Sequence, residues 1–312
     1  MEKNCPLCGY TGLNIIEEIN AIQLAKLYRR IFDIDISDHF SNLLIKFLLC
    51  KNCDLRFFTP SATGSENFYE SLQKFVWYYL EDKNEYDFAK HFINKNDRVL
   101  EVGCGYGTFA KKITSLNYLG LEFNQKAIDV ARNNGIHVMK ESVQEFSKNN
   151  PGMFDIVCAF QVMEHISDVR CFIEACIKCL KVGGLLILSV PSADSFVALA
   201  KNNILNMPPH HITQWSDSCL KNLATLFSLD FKKIKHEKLS EIHKSWYLTV
   251  MVERSFNNIL GMPFSLIDTS PLGRVVGKLS SLIAKFLARG FNDSKMFPYG
   301  HSVTGIFRKQ QI

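Results

Sequence analysis

Three sets of residues in this 312-residue chain have the types and spacing to do chemistry. The first is the run Arg98-Val99-Leu100-Glu101-Val102 followed by Gly103-Cys104-Gly105-Tyr106-Gly107-Thr108. A short buried strand feeding a glycine turn, with a helix opening at Phe109–Ile113, lets a ligand pack on bare backbone beside a helix N-terminus. The dinucleotide fingerprint G-x-G-x-x-G requires glycine at position 108, where Thr108 stands. Glu101, two places before the first glycine, would repel a pyrophosphate and suit a cationic amino-acid moiety. Glu122 closes the next strand, Tyr118–Glu122, about 20 residues past the start of the turn, where a carboxylate can accept both hydroxyls of a nucleoside ribose.

The second set is two CxxC pairs, Cys5-Pro-Leu-Cys8-Gly9 and Cys50-Lys-Asn-Cys53-Asp54. Two-residue spacing brings both thiolates of a pair onto one tetrahedral ion, and four thiolates make a closed, structural site for Zn2+. Gly9 sits where such a knuckle needs a positive φ. The gap between the pairs exceeds the usual zinc-ribbon span of about 15 to 20 residues, and Ile19, Ile22, Leu24 and Leu27 within it predict an inserted helix or helix pair. The remaining six cysteines (Cys104, Cys158, Cys171, Cys176, Cys179, Cys219) read as small core residues. The third set is His165, after the fourth strand, and the pair His210-His211, after the fifth. Any of these is a candidate base or substrate ligand, because ligands of open α/β sheets bind at the carboxyl ends of strands. Tyr78 and Tyr79 could close over the site, although a cluster such as FVWYYL also suits plain packing.

The elements that must position these groups alternate. After Glu122, Asn124 caps a helix Gln125–Asn133. Strands follow at His137–Lys140, Phe154–Phe160 and Gly184–Pro191. Between the last two, Ser167 or Asp168 caps an amphipathic helix running to Leu180 and stopped by Gly183-Gly184. Strands and helices of this length imply a parallel, doubly wound α/β sheet covered on both faces. Beyond Trp215, Ser216 or Asp217 caps a further helix. Val275, Val276, Leu279, Leu282, Ile283, Phe286 and Leu287 recur at helical spacing, with Arg274, Lys278, Lys285 and Arg289 on the other side. Such a helix over residues 274–289 can lie on an anionic membrane surface or pack on the sheet or a partner subunit; the packed arrangement is the expectation. Ser302–Arg308 alternates like a final antiparallel edge strand.

Several of these segments resemble the class I S-adenosylmethionine-dependent methyltransferases: LEVGCGYGTFA, LEFN, FDIVCAFQVMEHISD and LKVGGLLILSVP, in that order over roughly residues 96–240. The resemblance implies a Rossmann-like sheet, S-adenosylmethionine as cofactor, the methionine end held by Glu101, Gly103, Gly105 and Gly107, and the ribose held by Glu122. It also places Phe123 and Phe160 in the cofactor site. Where the family often has an acid near the adenine amine this chain has Ser142, which leaves adenine contact to the backbone of Ser142 and Val143. CPLCG, CKNCDLRFFTP and FYESLQKFVWYYL resemble the zinc-binding N-terminal module of methyltransferases from sugar and surface-polysaccharide pathways, and Pro208–Ser216 resembles a PPHH…WS motif of the same relatives. These likenesses imply a small-molecule acceptor, by preference a sugar, nucleotide-sugar or lipid-linked saccharide, with His165, His210 and His211 as candidate catalytic groups.

The expected organisation is a zinc-binding module over 1–60, a helical connector over 61–95, the cofactor domain over 96–240, and a helical insertion with the final edge strand over 241–312. Charge limits the partners. Residues 231–312 carry thirteen Lys and Arg against five Asp and Glu, whereas the first 60 residues balance seven against seven. A charge-balanced zinc module argues against a nucleic-acid reader, and Phe160-Gln161-Val162-Met163 lacks the Asn-Pro-Pro-aromatic clamp of base-modifying enzymes. Intact Glu101, glycines and Glu122 argue against a non-catalytic adaptor. With no apolar h-region at MEKNCPLCGY and no run of about 20 apolar residues, the expected setting is cytoplasmic, with reduced cysteines. Oligomeric state is not legible.

Overall fold

The computed structural model describes residues 4–75, 83–290 and 298–311; Tyr78 and Tyr79 lie outside them. The chain opens with β1 (Leu13–Asn20), α1 (Ala21–Phe32) and β2 (Leu44–Cys50). The segment between the cysteine pairs is therefore one helix flanked by two antiparallel strands, rather than a helix or helix pair. The reason is local: Leu13–Asn20 is rich in isoleucine, which favours the pleated surface, and Asn20 ends it by accepting hydrogen bonds from the Ile22 and Gln23 amides as an N-cap. Ile19, Leu24 and Leu27 are buried as expected, whereas Ile22 is exposed. A third strand, β3 (Arg56–Thr59), pairs with β2 and, on its other side, with a two-residue strand far along the chain, Thr213–Gln214 (β9 in chain order).

After α2 (Glu66–Leu72) and α3 (Asn84–Ala89) the chain builds a second, seven-stranded sheet. Its strands are β4 (Arg98–Val102), β5 (Asn117–Leu121), β6 (Val138–Met139), β7 (Phe154–Phe160), β8 (Leu180–Pro191), β10 (Leu229–Lys238) and β11 (Tyr299–Lys309). The order is β10-β11-β8-β7-β4-β5-β6, with β11 antiparallel to both neighbours and the other pairings parallel. The connecting helices are α4 (Gln125–Asn133), α5 (Val143–Asn149), α6 (Val169–Cys179) and α7 (Asp217–Leu226), capped by the side chains of Asn124, Ser142, Asp168 and Ser216. The α/β reading stands.

Four details differ from expectation. The glycine turn is followed by a single 3-10 turn, Ala110–Lys112, instead of a helix; the residues left before β5 are too few for a helix and a return, and buried Phe109 plugs the space. Helix α6 stops at Cys179 and β8 begins at once, so Gly183 and Gly184 lie within the strand. The strand at Ser302–Arg308 is interior rather than an edge: Val303, Ile306 and Phe307 are fully buried, and the edge is the lysine-rich β10. Cys171 is exposed, whereas the other five non-knuckle cysteines are buried.

The segment before β11 forms α8 (Lys244–Ile259) and α9 (Pro271–Leu287), packed on each other. Small residues make the contact face of α9: Gly273, Val276, Ser280 and Ala284 are buried. Its larger apolar residues, Leu272, Val275, Leu279, Leu282 and Phe286, form an exposed stripe, so this helix does not bury its apolar side on the sheet. Among the described residues no helix is long and apolar enough to cross a membrane.

Because β11 is held on both sides and Phe307 is fully buried, Phe307→Ala is expected to cost about 3–5 kcal/mol, read as a lowered urea midpoint. A loss under about 1 kcal/mol would contradict the interior placement.

Candidate active site

The glycine turn uses its glycines. Gly103, Gly105 and Gly107 all have positive φ, and a Cβ at Gly103 or Gly107 would come within 2.5 Å of Val162 or Ile136. Beneath the turn, the Glu101 carboxyl is 1% exposed and accepts from the Tyr118 hydroxyl. Burial pushes this carboxyl up to about 8, against a smaller opposing effect of the Tyr118 hydrogen bond. Glu122 follows β5 directly. One oxygen accepts from the Gly105 amide at 2.9 Å, and the other from the Phe123 and Asn124 amides at 2.7 and 2.9 Å. The carboxylate thus braces the turn against the start of α4.

A cavity of about 1090 Å³ opens from this turn. On one side it is lined by Gly103, Gly105, Glu122, Phe123, Ser142 and Phe160, all expected cofactor residues. Glu101, Gly107 and Val143 are not on its wall: Glu101 lies behind the turn, Gly107 ends the turn against Ile136, and Val143 is the buried first residue of α5, which Ser142 caps. The opposite side carries Tyr69, Glu164, His165, Asn206, His210 and His211. Ser240, Ile242, His243 and Trp246 from the approach to α8, with His301 and Ser302 from β11, complete it. One chamber therefore joins the glycine turn to all three expected histidines.

The histidines form one cluster. His165 lies in the turn after β7, and its ring centroid is 4.7 Å from that of His210 and 4.8 Å from that of His211. The His210 and His211 rings stack at 4.4 Å. Each Nδ1 meets an oxygen: His165 faces the His210 carbonyl at 2.6 Å, His210 the Leu205 carbonyl at 2.8 Å, and His211 the Asn206 side-chain oxygen at 3.2 Å. Carbonyl oxygens only accept, so each Nδ1 carries the proton and each Nε2 the lone pair. Burial holds all three neutral, with His165 lowered to about 4 and His210 and His211 lowered well below the usual imidazole value.

Sequence reasoning missed Glu164, Tyr69 and Gln161. Glu164 is 1% exposed and pushed up to about 8 by burial. It stood in the sequence beside His165, but an acid next to a histidine gave no sign of which would point inward. The Tyr69 hydroxyl lies 3.3 Å from His165 Nδ1, brought there across 96 residues. Gln161, in a left-handed conformation at the end of β7, donates to Glu85 and Ser302.

The four knuckle cysteines converge as well. Their sulfurs all lie within 4.8 Å of one another, with Cys5–Cys53 and Cys8–Cys50 at 3.5 Å. Tetrahedral Zn–S bonds of about 2.3 Å place sulfurs about 3.8 Å apart, so the set fits such an ion. The knuckles match in backbone: the Gly9 amide donates to the Cys5 carbonyl and the Asp54 amide to the Cys50 carbonyl, with φ of +74° and +64°.

A family model for a methyltransferase domain matches residues 72–231, about half of the chain. Curated proteins similar to it include the ubiquinone biosynthesis O-methyltransferase of Dechloromonas aromatica, 30% identical over 127 residues, which covers 36% of this chain and 53% of that protein. That of Pseudomonas aeruginosa is 28% identical over 171 residues, covering 46% and 72%. The chain spans about half the length of the curated relatives it matches. Among solved structures, a SAM dependent methyltransferase from Archaeoglobus fulgidus is similar at 18% identity and a TM-score of 0.49, over 77% of this chain and 100% of that one.

Glu101 gives a pH prediction. Its carboxyl titrates higher folded than unfolded, so between its ordinary value and about 8 the unfolded chain has released a proton that the folded chain keeps. Stability conferred by the protonated form is full below that window and falls as pH rises through it. Glu101→Gln cannot titrate, so wild type should lose thermal stability relative to this variant between about pH 5 and about pH 8. Parallel melting curves across that range would contradict the buried placement.

Proposed function

The chain belongs to the methyltransferase-domain family, and on that premise we propose that it transfers a methyl group from S-adenosylmethionine to oxygen or carbon of a small-molecule acceptor, by preference a sugar, nucleotide-sugar or lipid-linked saccharide. The observation that carries this reading is the single chamber running from the glycine turn and Glu122 to the histidine cluster. When bound, S-adenosylmethionine supplies a methyl on a sulfonium that departs as a neutral thioether. The protein's task is then to hold donor and acceptor in near-attack geometry. The wall residues Gly103 and Gly105 would hold the methionine end, with Glu101 and Gly107 shaping the turn, and Glu122 would hold the ribose. Ser142 would hold adenine, with Phe123 and Phe160 beside it. His165, His210 and His211 would orient the acceptor and draw on its hydroxyl proton through their lone-pair nitrogens.

The saccharide preference is supported by the acceptor wall, which mixes hydrogen-bonding groups (Gln161, Asn203, Asn206, Glu237) with Tyr69, Tyr86 and Trp246. Polyhydroxylated ligands use both kinds of contact. The similarity to O-methyltransferases favours oxygen as the methyl acceptor. Cys5, Cys8, Cys50 and Cys53 would hold structural Zn2+, adding binding energy to the fold.

Isothermal titration tests the donor. S-adenosylmethionine should bind at micromolar affinity and NADH should not, while Glu122→Ala weakens the first and lowers the melting temperature, because three backbone amides lose their acceptor. Binding of NADH alone would defeat the reading, and unchanged affinity in the variant would defeat the placement of the ribose.

The exposed stripe Leu272, Val275, Leu279, Leu282 and Phe286, flanked by exposed Arg274, Lys278, Lys285 and Arg289, supports a peripheral contact with an anionic bilayer. The protein should co-sediment with phosphatidylserine-containing vesicles, leave them at high salt, and lose the association in Leu282→Asp. Equal pelleting with purely zwitterionic vesicles, or none with either, would reject that contact.

A further inference from the structure

Three histidines whose Nδ1 atoms are all turned to oxygen acceptors need a reason, and so does the carboxyl buried beside His165. Both oxygens of Glu164 lack a hydrogen-bond partner among the described residues, although the side chain is 1% exposed. Buried carboxyls left this way are uncommon and costly. Glu164 Oε1 lies 4.0 Å from His165 Nε2. The ligand-capable atoms of His165, His210 and His211 lie within 4.8 Å of one another.

We infer that His165, His210 and His211, with Glu164, form a second metal site that takes a divalent ion of the zinc, cobalt or iron class at the acceptor end of the chamber. Imidazole nitrogens and a carboxylate suit these ions. An imidazole that binds metal through one nitrogen characteristically donates its other N–H to a carbonyl or carboxylate, and the three Nδ1 contacts at 2.6, 2.8 and 3.2 Å supply that pattern. Ligand nitrogens about 2.1 Å from an ion in tetrahedral array stand about 3.4 Å apart, so the cluster closes on the ion by side-chain movements of about 1 Å.

Backbone contacts hold the two ligand-bearing segments together. The Ile212 amide donates to the Glu164 carbonyl at 2.8 Å, and the Thr213 hydroxyl to the Met163 carbonyl at 3.2 Å. The His210 and His211 amides both bond the Met207 carbonyl, which fixes their turn. Unlike the enclosed cysteine set, these ligands line an open cavity. Catalytic metal sites keep such a free position, where an acceptor oxygen could complete the coordination. The ligand set is argued from its own side chains and stands apart from the donor reading; it replaces proton removal by the imidazoles, whose lone pairs the ion would occupy.

Cobalt distinguishes the two sites. The purified 312-residue chain, its cysteine-held metal first counted, is titrated with Co2+ in the absence of any methyl donor. One further equivalent per chain should bind and give visible d–d bands without thiolate-to-cobalt charge transfer. His211→Gln should abolish that equivalent while keeping the cysteine-held metal, and Glu164→Gln should weaken it by about tenfold or more. If His211→Gln also loses the cysteine-held metal it has misfolded, and Glu164→Gln alone decides. No uptake beyond the cysteine site, or uptake unchanged in Glu164→Gln, overturns the inference. Calorimetry with S-adenosylmethionine on the same samples separates the two readings: donor binding without cobalt uptake removes the metal site and leaves methyl transfer standing.

Discussion

The contact on which the site depends is the pairing of Arg56 and Phe57 with Gln214 and Thr213. This two-residue strand is weak alone, yet it ties the cysteine-rich front of the chain to the segment that carries His210 and His211. Around it the Phe58 amide bonds the Ile212 carbonyl, Arg56 reaches the Ala193 carbonyl, and the Ser216 hydroxyl meets Asp54. Trp215, fully buried, fills the seam between the two sheets, and Ser192 bridges to it from the end of β8. A histidine pair on an unsupported surface turn would have no fixed direction. Here the turn is pinned from both sides.

That seam changes how the first 60 residues should be viewed. Cys5, Leu7, Cys50, Cys53 and Phe57 share one buried cluster with Leu100, Val157 and Leu186 from the large sheet and with Trp215 in the seam. The Leu7 carbonyl accepts from Arg170 on α6. The cysteine knuckles are thus built into the main core, and an ion held there would stiffen the sheet that carries the histidine turn.

The legible parts of the chain were those where local pattern and tertiary demand agree. Asn124, Asp168 and Ser216 cap helices because short polar side chains accept from the first amides whatever surrounds them, and Phe154–Phe160 is apolar apart from Asp155 because it is covered on both faces. The glycine turn was legible because only glycine tolerates its backbone and its close neighbours. What escaped was set at long range. Nothing near Leu229–Lys238 says that a lysine-rich strand will become the edge and push the apolar strand at Val303–Phe307 inside. Likewise Tyr69 and Glu164 reach the histidines through chain closure, which no spacing announces. The apolar stripe of α9 shows the converse failure: helical periodicity revealed the face but not whether anything would cover it.

The chamber also has an uneven origin along the chain. Its donor wall comes from nearly contiguous residues, Gly103 to Phe160, laid down by consecutive strand ends. Its acceptor wall is assembled from separated stretches: around Tyr69, at Tyr86, from Gln161 to His165, from Asn203 to His211, from Glu237 to Trp246, and at His301 and Ser302. Changes in the second group need not disturb the first. A gene encoding such a chain can exchange one acceptor for another by editing loops and insertions, while the donor machinery is inherited intact. Divergence of substrate within a constant chemistry is the evolutionary behaviour this division of the wall permits.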